Sequence, residues 1–261
     1  MIGRRRPPNV KRKSDAEIEL MRESGRIVAA TLEKLKTLIA PGVTTAQLDQ
    51  AARECLDQAG AISSFLGYRG YPAVICAEIN DIVVHGIQSE DVVLDRGDIV
   101  GIDLGASYRD YHADAAFTMS VGETDEASRR LMAATEEALQ RGVEAARVGR
   151  KLGEVCGTIQ RCVEGYGYSV VRDLVGHGIG RSMHEPPQIP NYLAPGQFPE
   201  YDVILRPGMT LAIEPMVNMG GYELRTDADG WTVHTADGLP SAHFEHTIAV
   251  TKDGPRILTV T

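Results

Sequence analysis

Four acids and one histidine carry the strongest chemical signal in this chain. Asp103 closes the apolar run Ile99-Val-Gly-Ile102, and Asp114 opens onto Ala115-Ala-Phe117. Glu214 interrupts Leu211-Ala-Ile213, and Glu245 stands just before Thr247-Ile-Ala-Val250. One acid in a strand is ordinarily a solvated edge position. Four inside apolar runs are harder to place that way, because an unpaired buried carboxylate costs several kcal/mol. Asp103 and Asp114 flank a hairpin turn, and a turn centred on Tyr108-Arg109 sets them directly opposite, with Cβ atoms about 4.5–5.5 Å apart. No Lys or Arg lies beside them within either strand. A cation between them is the simplest resolution. His177, in Gly176-His-Gly-Ile-Gly180, adds an imidazole in a segment whose glycines let backbone crowd a site. Four carboxylates and one imidazole can share two metals about 3.5–4 Å apart. Such hard ligands favour Mn, Fe(II) or Co, and Zn is compatible.

Other chemistries lack their signatures. Position 181 is Arg, so Gly176–Gly180 does not extend to a G-x-G-x-x-G dinucleotide loop. His184-Glu-Pro-Pro-Gln188 is not H-E-x-x-H. No G-x-S-x-G elbow is present. Three histidines, His85, His177 and His184, do sit in glycine- or proline-rich segments suited to a site.

The elements that must position these groups follow from capping and periodicity. Ser14-x-x-Glu17 opens a helix with apolar residues Met21, Val28, Leu32, Leu35 and Ile39, stopped by Pro41-Gly42. Thr44-x-x-Gln47 opens a second helix that ends near Gly60. Strand-like runs fall at Ala73–Ala77, Ile82–Val84, Ile99–Ala106 and Tyr111–Val121. Helices are expected at Asp125–Arg147 and Leu152–Glu164. More strands follow at Tyr168–Val171, Met209–Val217, Trp231–Thr235 and His243–Thr251. Paired helices that do not alternate with every strand indicate an α+β fold.

The two halves echo each other. Leu94-Asp-Arg-Gly97 leads in six residues to Asp103, and Leu205-Arg-Pro-Gly208 leads in six to Glu214. Tyr111-His-Ala-Asp114 and Ala242-His-Phe-Glu245 begin the closing strands, and Gly42–Leu48 is mirrored by Gly149–Val155. Two similar halves packed about a pseudo-two-fold axis would bring the acids together between them.

Composition limits the partners. The net charge of −9 conceals a basic, acid-free stretch, residues 1–13, holding Arg4, Arg5, Arg6, Lys11, Arg12 and Lys13. That stretch is expected to be a disordered arm, with residues 14–261 forming one catalytic domain. The acidic remainder argues against a nucleic-acid enzyme. No run approaches the ~20 apolar residues of a membrane span. The arm lacks the apolar core of a secretory signal. Cys55, Cys76, Cys156 and Cys162 form no C-x-x-C pair, which reads as reduced thiols in cytoplasm.

At this point the residues resemble a known family, type I methionine aminopeptidase, over essentially all of residues 14–261. The matching segments are Gly67-Tyr-Arg-Gly-Tyr-Pro72, Ile79-Asn80, Val84-His-Gly86, Asp103-Leu-Gly105 and His112-Ala-Asp114. They continue with Gly176-His-Gly-Ile-Gly-Arg-Ser-Met-His-Glu-Pro186, Ile213-Glu-Pro215 and Phe244-Glu-His-Thr247. The resemblance implies the pita-bread fold: pseudo-two-fold halves, an antiparallel sheet and two covering helix pairs. It implies that Asp103, Asp114 and Glu245 hold one metal and that Asp114, Glu245, His177 and Glu214 hold the other. A water bridging the metals would be the nucleophile, with Glu214 accepting its proton. His184 would help stabilise the oxyanion, and His85 would contact the peptide and assist the leaving amine. The substrate's α-amine would bind the metal that lacks the histidine.

The methionine side chain would lie against Phe65, Tyr68, Tyr71, Cys76, Met183 and Trp231. Phe65 stands where some relatives have a cysteine, and Met183 where an aromatic is common. Both stay apolar, so the preference for a thioether should survive. The implied substrate is a nascent peptide with N-terminal methionine and a small second residue. The enzyme is expected to be a monomer, with the basic arm available to the ribosome. Two rivals share the fold: a proline-specific peptidase such as prolidase or aminopeptidase P, and a non-catalytic binding protein that has typically lost ligands. The first usually carries a large extra N-terminal domain, and the second is opposed by the presence of all five ligands.

Overall fold

The computed structural model describes residues 7–194 and 196–261. The first half holds α1 (Asp15–Lys36), α2 (Thr45–Ala59), β1 (Ile62–Ser63), β2 (Cys76–Ile79), β3 (Ile82–Val84), β4 (Ile99–Tyr108) and β5 (Tyr111–Ser120). The second half opens with α3 (Glu126–Ala145), α4 (Leu152–Gly165), β6 (Ser169–Val170), β7 (Gly176–Gly178), β8 (Glu185–Ile189) and β9 (Thr210–Ile213). It closes with β10 (Met216–Asn218), β11 (Leu224–Thr226), β12 (Val233–Thr235), β13 (Ser241–His243), β14 (Glu245–Thr251) and β15 (Gly254–Ile257).

Both capping boxes form as the sequence indicates, Ser14 with Glu17 and Thr44 with Gln47. The first helix ends at Lys36, short of Pro41-Gly42, because Thr37 caps it through the Lys34 carbonyl. The principal sheet runs β1-β4-β5-β14-β9-β7-β8, with β2 added on β4 and β15 on β14. All of its pairings are antiparallel. The halves meet where β5 pairs β14. One face of the sheet is sealed by helices in two apolar groups. Val28, Leu32, Leu35, Leu48 and Leu56 pack on Val100, Ile102 and Leu104. Leu131, Leu139, Val155 and Ile159 pack on Leu211, Ile213 and Ile248.

The internal repeat is visible in the backbone. Gly42 donates to the Leu94 carbonyl at 2.8 Å, and Gly149 to that of Leu205 at 2.9 Å. The isolated bridge Thr44–Val93 has its counterpart in Lys151–Ile204. Gly97 donates to Val121 at 3.0 Å, and Gly208 to Val250 at 2.9 Å. The similar turns therefore do equivalent work: each fastens a helix pair to the strand that carries an acid.

Two expectations need correction. The hairpin turns at Arg109-Asp110, so Asp103 faces Ala116 and Asp114 faces Gly105. Arg109 and Asp110 have φ of 50° and 65°, the two positive values a two-residue type I′ turn requires. The register slips by two residues, which keeps both acids on the expected face. The expected strands 209–217 and 243–251 are each broken, at Glu214-Pro215 and at Phe244. Proline lacks the N–H a continuing ladder needs.

α1 lies directly on the C-terminal segment. A Cβ added at Gly25 would stand 2.1 Å from the Leu258 carbonyl oxygen. Gly25→Ala is therefore expected to destabilise the fold by about 1–3 kcal/mol despite alanine's better helix propensity. Thermal unfolding would show it, and an unchanged midpoint would contradict the packing.

Candidate metal centre and cleft

Register alone brings the five candidate ligands to one face. Asp103 on β4 faces Ala116 on β5, which in turn faces Glu245 on β14. Asp114 lies two residues from Ala116, on the same side. In the next pairings Thr247 faces Ala212, and Ala212 faces His177 on β7. Glu214 follows the end of β9, in the position that would oppose Glu245. Ala116 contributes no bulk between Asp103 and Glu245. Gly105, opposite Asp114, also has no room for a side chain: a Cβ there would lie 3.1 Å from Asp114 Oδ1.

The resulting donor set is buried and short of partners. Asp103, Asp114, Glu245 and His177 are all buried. Asp114, His177 and Glu245 each offer a ligand atom within 4.8 Å of the others. His177 Nε2 is 3.6 Å from Glu214 Oε1. Asp103 Oδ1, Asp114 Oδ1 and Glu245 Oε1 are buried without a hydrogen-bond partner among the described residues. His177 Nδ1 lies 2.8 Å from the Gly178 carbonyl, which can only accept. Its Nε2 therefore carries a lone pair toward the acids, the usual orientation of a ligating imidazole. These residues fit divalent metal ions, which would supply the charge the site lacks.

The electrostatics agree. Burial, reinforced by the neighbouring acids, pushes Asp103, Glu214 and Glu245 well above the usual carboxylate range. Burial also raises Asp114, to about 7. Burial lowers His177 to about 3 and His85 to about 4, and also depresses His184. All three imidazoles are thus neutral near pH 7.

Above the acids lies a cleft of about 640 Å³. Every residue proposed to contact substrate lines it: Phe65, Tyr68, Tyr71, Cys76, His85, Met183, His184 and Trp231. Phe65, Tyr71, Cys76 and Met183 form one apolar cluster, with Tyr68 and Trp231 against it. Tyr71 meets Trp231 edge-on at 5.1 Å and Phe65 at 6.5 Å. The His184 ring stacks on Tyr68 at 5.3 Å and touches His177 at 4.2 Å. His85 meets Trp231 edge-on at 6.0 Å and is held at φ 60°, a conformation uncommon outside glycine.

Sequence reasoning missed a buried pair beside Asp103. Glu78 accepts from His243 Nδ1 at 3.2 Å, and Glu78, Asp103 and His243 lie within 4.8 Å of one another. Parity along one strand hints at half of it, since Glu78 shares a face with Cys76, which pairs with Asp103; His243 lies on a separate strand. The basic arm expected over residues 1–13 is described only in part. Arg4, Arg5 and Arg6 lie outside the described residues, whereas Arg12 and Lys13 are fastened to the body at Pro207 and Gly208.

A profile of metallopeptidase family M24 matches residues 19–252. The chain belongs to that family. Within it, the similarity falls with the methionine aminopeptidases. The methionine aminopeptidase of Clostridium acetobutylicum is 48% identical over 95% of this chain and 98% of its own. The crystal structure of a methionine aminopeptidase from Thermotoga maritima superposes with a TM-score of 0.93 at 43% identity, covering 97% of this chain and all of that one. The Xaa-Pro dipeptidase of Bacillus anthracis is more distant, with 26% identity and a TM-score of 0.76, and this chain covers 62% of it. The family's pita-bread architecture is the fold described above.

Metal-free protein should show the strain of the acid cluster as a pH dependence. A carboxyl whose folded pKa is raised holds a proton that the unfolded chain has released. Its contribution is therefore present at low pH and lost as pH rises from about 4 through the folded value. With Asp114 at about 7 and its neighbours also raised, chelator-treated protein should lose roughly 5 °C or more of melting temperature between pH 5 and 8. Added Mn(II) or Co(II) should restore it. Equal melting at both pH values would contradict this electrostatic picture.

Proposed function

We propose that this chain removes the initiator methionine from nascent polypeptides whose second residue is small, using two divalent metal ions. The observation that carries the reading is the juxtaposition of five donor groups with an apolar, aromatic and thioether-lined cleft. Asp103, Asp114 and Glu245 would hold one ion, and Asp114, Glu245, His177 and Glu214 the other. One imidazole among four carboxylates favours Mn, Fe(II) or Co, with Zn compatible. Bound there, the ions act as Lewis acids and make water nucleophilic near neutral pH.

The chain's own residues do the rest. The cluster of Phe65, Tyr71, Cys76 and Met183 accepts the unbranched thioether, with Tyr68 and Trp231 closing it. Glu214 takes the proton from the attacking water at a carboxylate oxygen. His184, clamped by Tyr68, donates to the oxygen of the scissile carbonyl. His85, beside Trp231, contacts the peptide and serves the leaving amine. Asp103, Asp114 and Glu245 would hold the ion that anchors the free α-amine, which would restrict cleavage to chain ends.

The setting we infer is the cytoplasm, as a monomer acting on chains leaving the ribosome. Four free cysteines suit a reducing compartment. No helix among the described residues is long and apolar enough to cross a membrane. The basic residues of the arm suit a polyanion such as ribosomal RNA.

Hydrolysis of Met-Ala-Ser against an Ala-Pro dipeptide separates this reading from a proline peptidase: only the former should be cleaved. Asp103→Asn and Glu245→Gln should abolish turnover, and its absence from metal-loaded wild type would favour a binding protein. His184→Ala should reduce kcat roughly 100-fold while metal content, read by elemental analysis, stays unchanged. Unaltered rates in these variants would defeat the assignment.

A further inference from the structure

The N-terminal arm ends in an interaction the reaction has not yet used. Lys13 Nζ lies 2.7 Å from Glu185 Oε2, with only 7% and 4% of the two side chains exposed. The Lys13 N–H donates to the Gly208 carbonyl at 2.6 Å, and Arg12 Nε donates to Pro207 at 2.8 Å. The backbone is thus fixed on the turn that leads into β9, one residue before the N-cap of α1. The side chain then enters the loop between β7 and β8. Two glycines make this path: a Cβ at Gly180 would stand 2.4 Å from Lys13 Cε, and one at Gly208 2.4 Å from Lys13 O. Five residues upstream, Pro8 forms part of the cleft wall.

What the ammonium meets is the residue next to His184. Glu185 also accepts from the Ser182 N–H at 3.4 Å, so its carboxylate ties both ends of the Ser182–Glu185 turn that presents Met183 and His184. A buried carboxylate deprived of its partner is strongly destabilised and must move toward water or be neutralised. Burial alone would push Glu185 up, but the Lys13 ammonium overrides it and holds the group below its ordinary range. Movement here displaces the attached imidazole, which stacks on Tyr68 and touches His177.

We propose that Lys13 is a positioning residue for catalysis: through its buried ion pair with Glu185 it holds His184 over the reacting carbonyl. The N-terminal arm is therefore part of the active-site scaffold. This rests on the role given to His184 above.

The test is a double-mutant cycle with Met-Ala-Ser as substrate. Lys13→Met in the metal-loaded enzyme should lower kcat roughly 10- to 100-fold with little change in KM or metal content, since misplacement by about 1 Å costs this much. In a His184→Ala background the same substitution should cost less than about twofold, because the group it positions is gone. Equal fold losses in both backgrounds would show a general structural role and overturn the proposal, as would a wild-type kcat for Lys13→Met. A His184→Ala enzyme at wild-type rate would remove the underlying reading and the proposal with it. Should Lys13→Met not fold, Glu185→Gln, which keeps the side-chain shape, runs through the same cycle with the same expectations.

Discussion

Like-charge repulsion among Asp103, Asp114, Glu214 and Glu245 is the constraint to which the rest of the molecule answers. Two carboxylates about 4 Å apart at the effective dielectric of a protein repel by roughly 4 kcal/mol, and Asp114 and Glu245 offer ligand atoms within 4.8 Å of each other. Burial removes the water that would relieve them. The folded chain tolerates the arrangement by holding protons, because burial raises all four groups above the usual carboxylate range. Cations would relieve it more fully, and one oxygen each of Asp103, Asp114 and Glu245 is buried without a hydrogen-bond partner among the described residues. The sheet makes the repulsion unavoidable, because strand register fixes the acids on a single face. The helices on the other face make the sheet stable enough to bear it, through the apolar contacts of Leu32, Leu35 and Leu48 in one half and Leu131, Leu139 and Ile159 in the other.

The halves are alike in frame and unlike in what they contribute. Matching hydrogen bonds at Gly42 and Gly149, and again at Gly97 and Gly208, build the same helix-pair anchor twice. Each half supplies two acids to the seam. The second half alone adds His177 and, from the adjoining loop, His184. The first adds Phe65, Tyr68, Tyr71 and Cys76 to the cleft. Met183 and Trp231 of the second half complete that apolar lining, and His85 of the first adds a third imidazole, so unlike side chains surround an approximately symmetric acid cluster. The pairing of Lys13 with Glu185 ties the arm to the turn that carries His184.

Much of this was legible in the residues. The capping boxes at Ser14 and Thr44 depend on local chemistry, so they are readable directly. The acids are conspicuous because they interrupt apolar runs, and their common face follows from parity along the strands. The turn register was misjudged because two positive-φ residues, Arg109 and Asp110, supply a geometry usually left to glycine or asparagine. Pro215 advertises the first break through its missing N–H, whereas no breaker residue marks the second at Phe244. The Glu78–His243 pair and the Lys13–Glu185 pair join residues 165 and 172 positions apart, and no local pattern encodes such a contact. The six residues of the cleft looked like ordinary core from sequence, and only the resemblance to a family singled them out.

The central claim is that the five donors converge on a pair of cations. Anomalous-scattering maps from crystals grown with excess Mn(II) or Co(II) test it most directly. The account predicts two peaks in the β5–β14 seam, one among Asp103, Asp114 and Glu245, the other among Asp114, Glu245, His177 and Glu214. An empty seam, or donors turned away from the density, would contradict it.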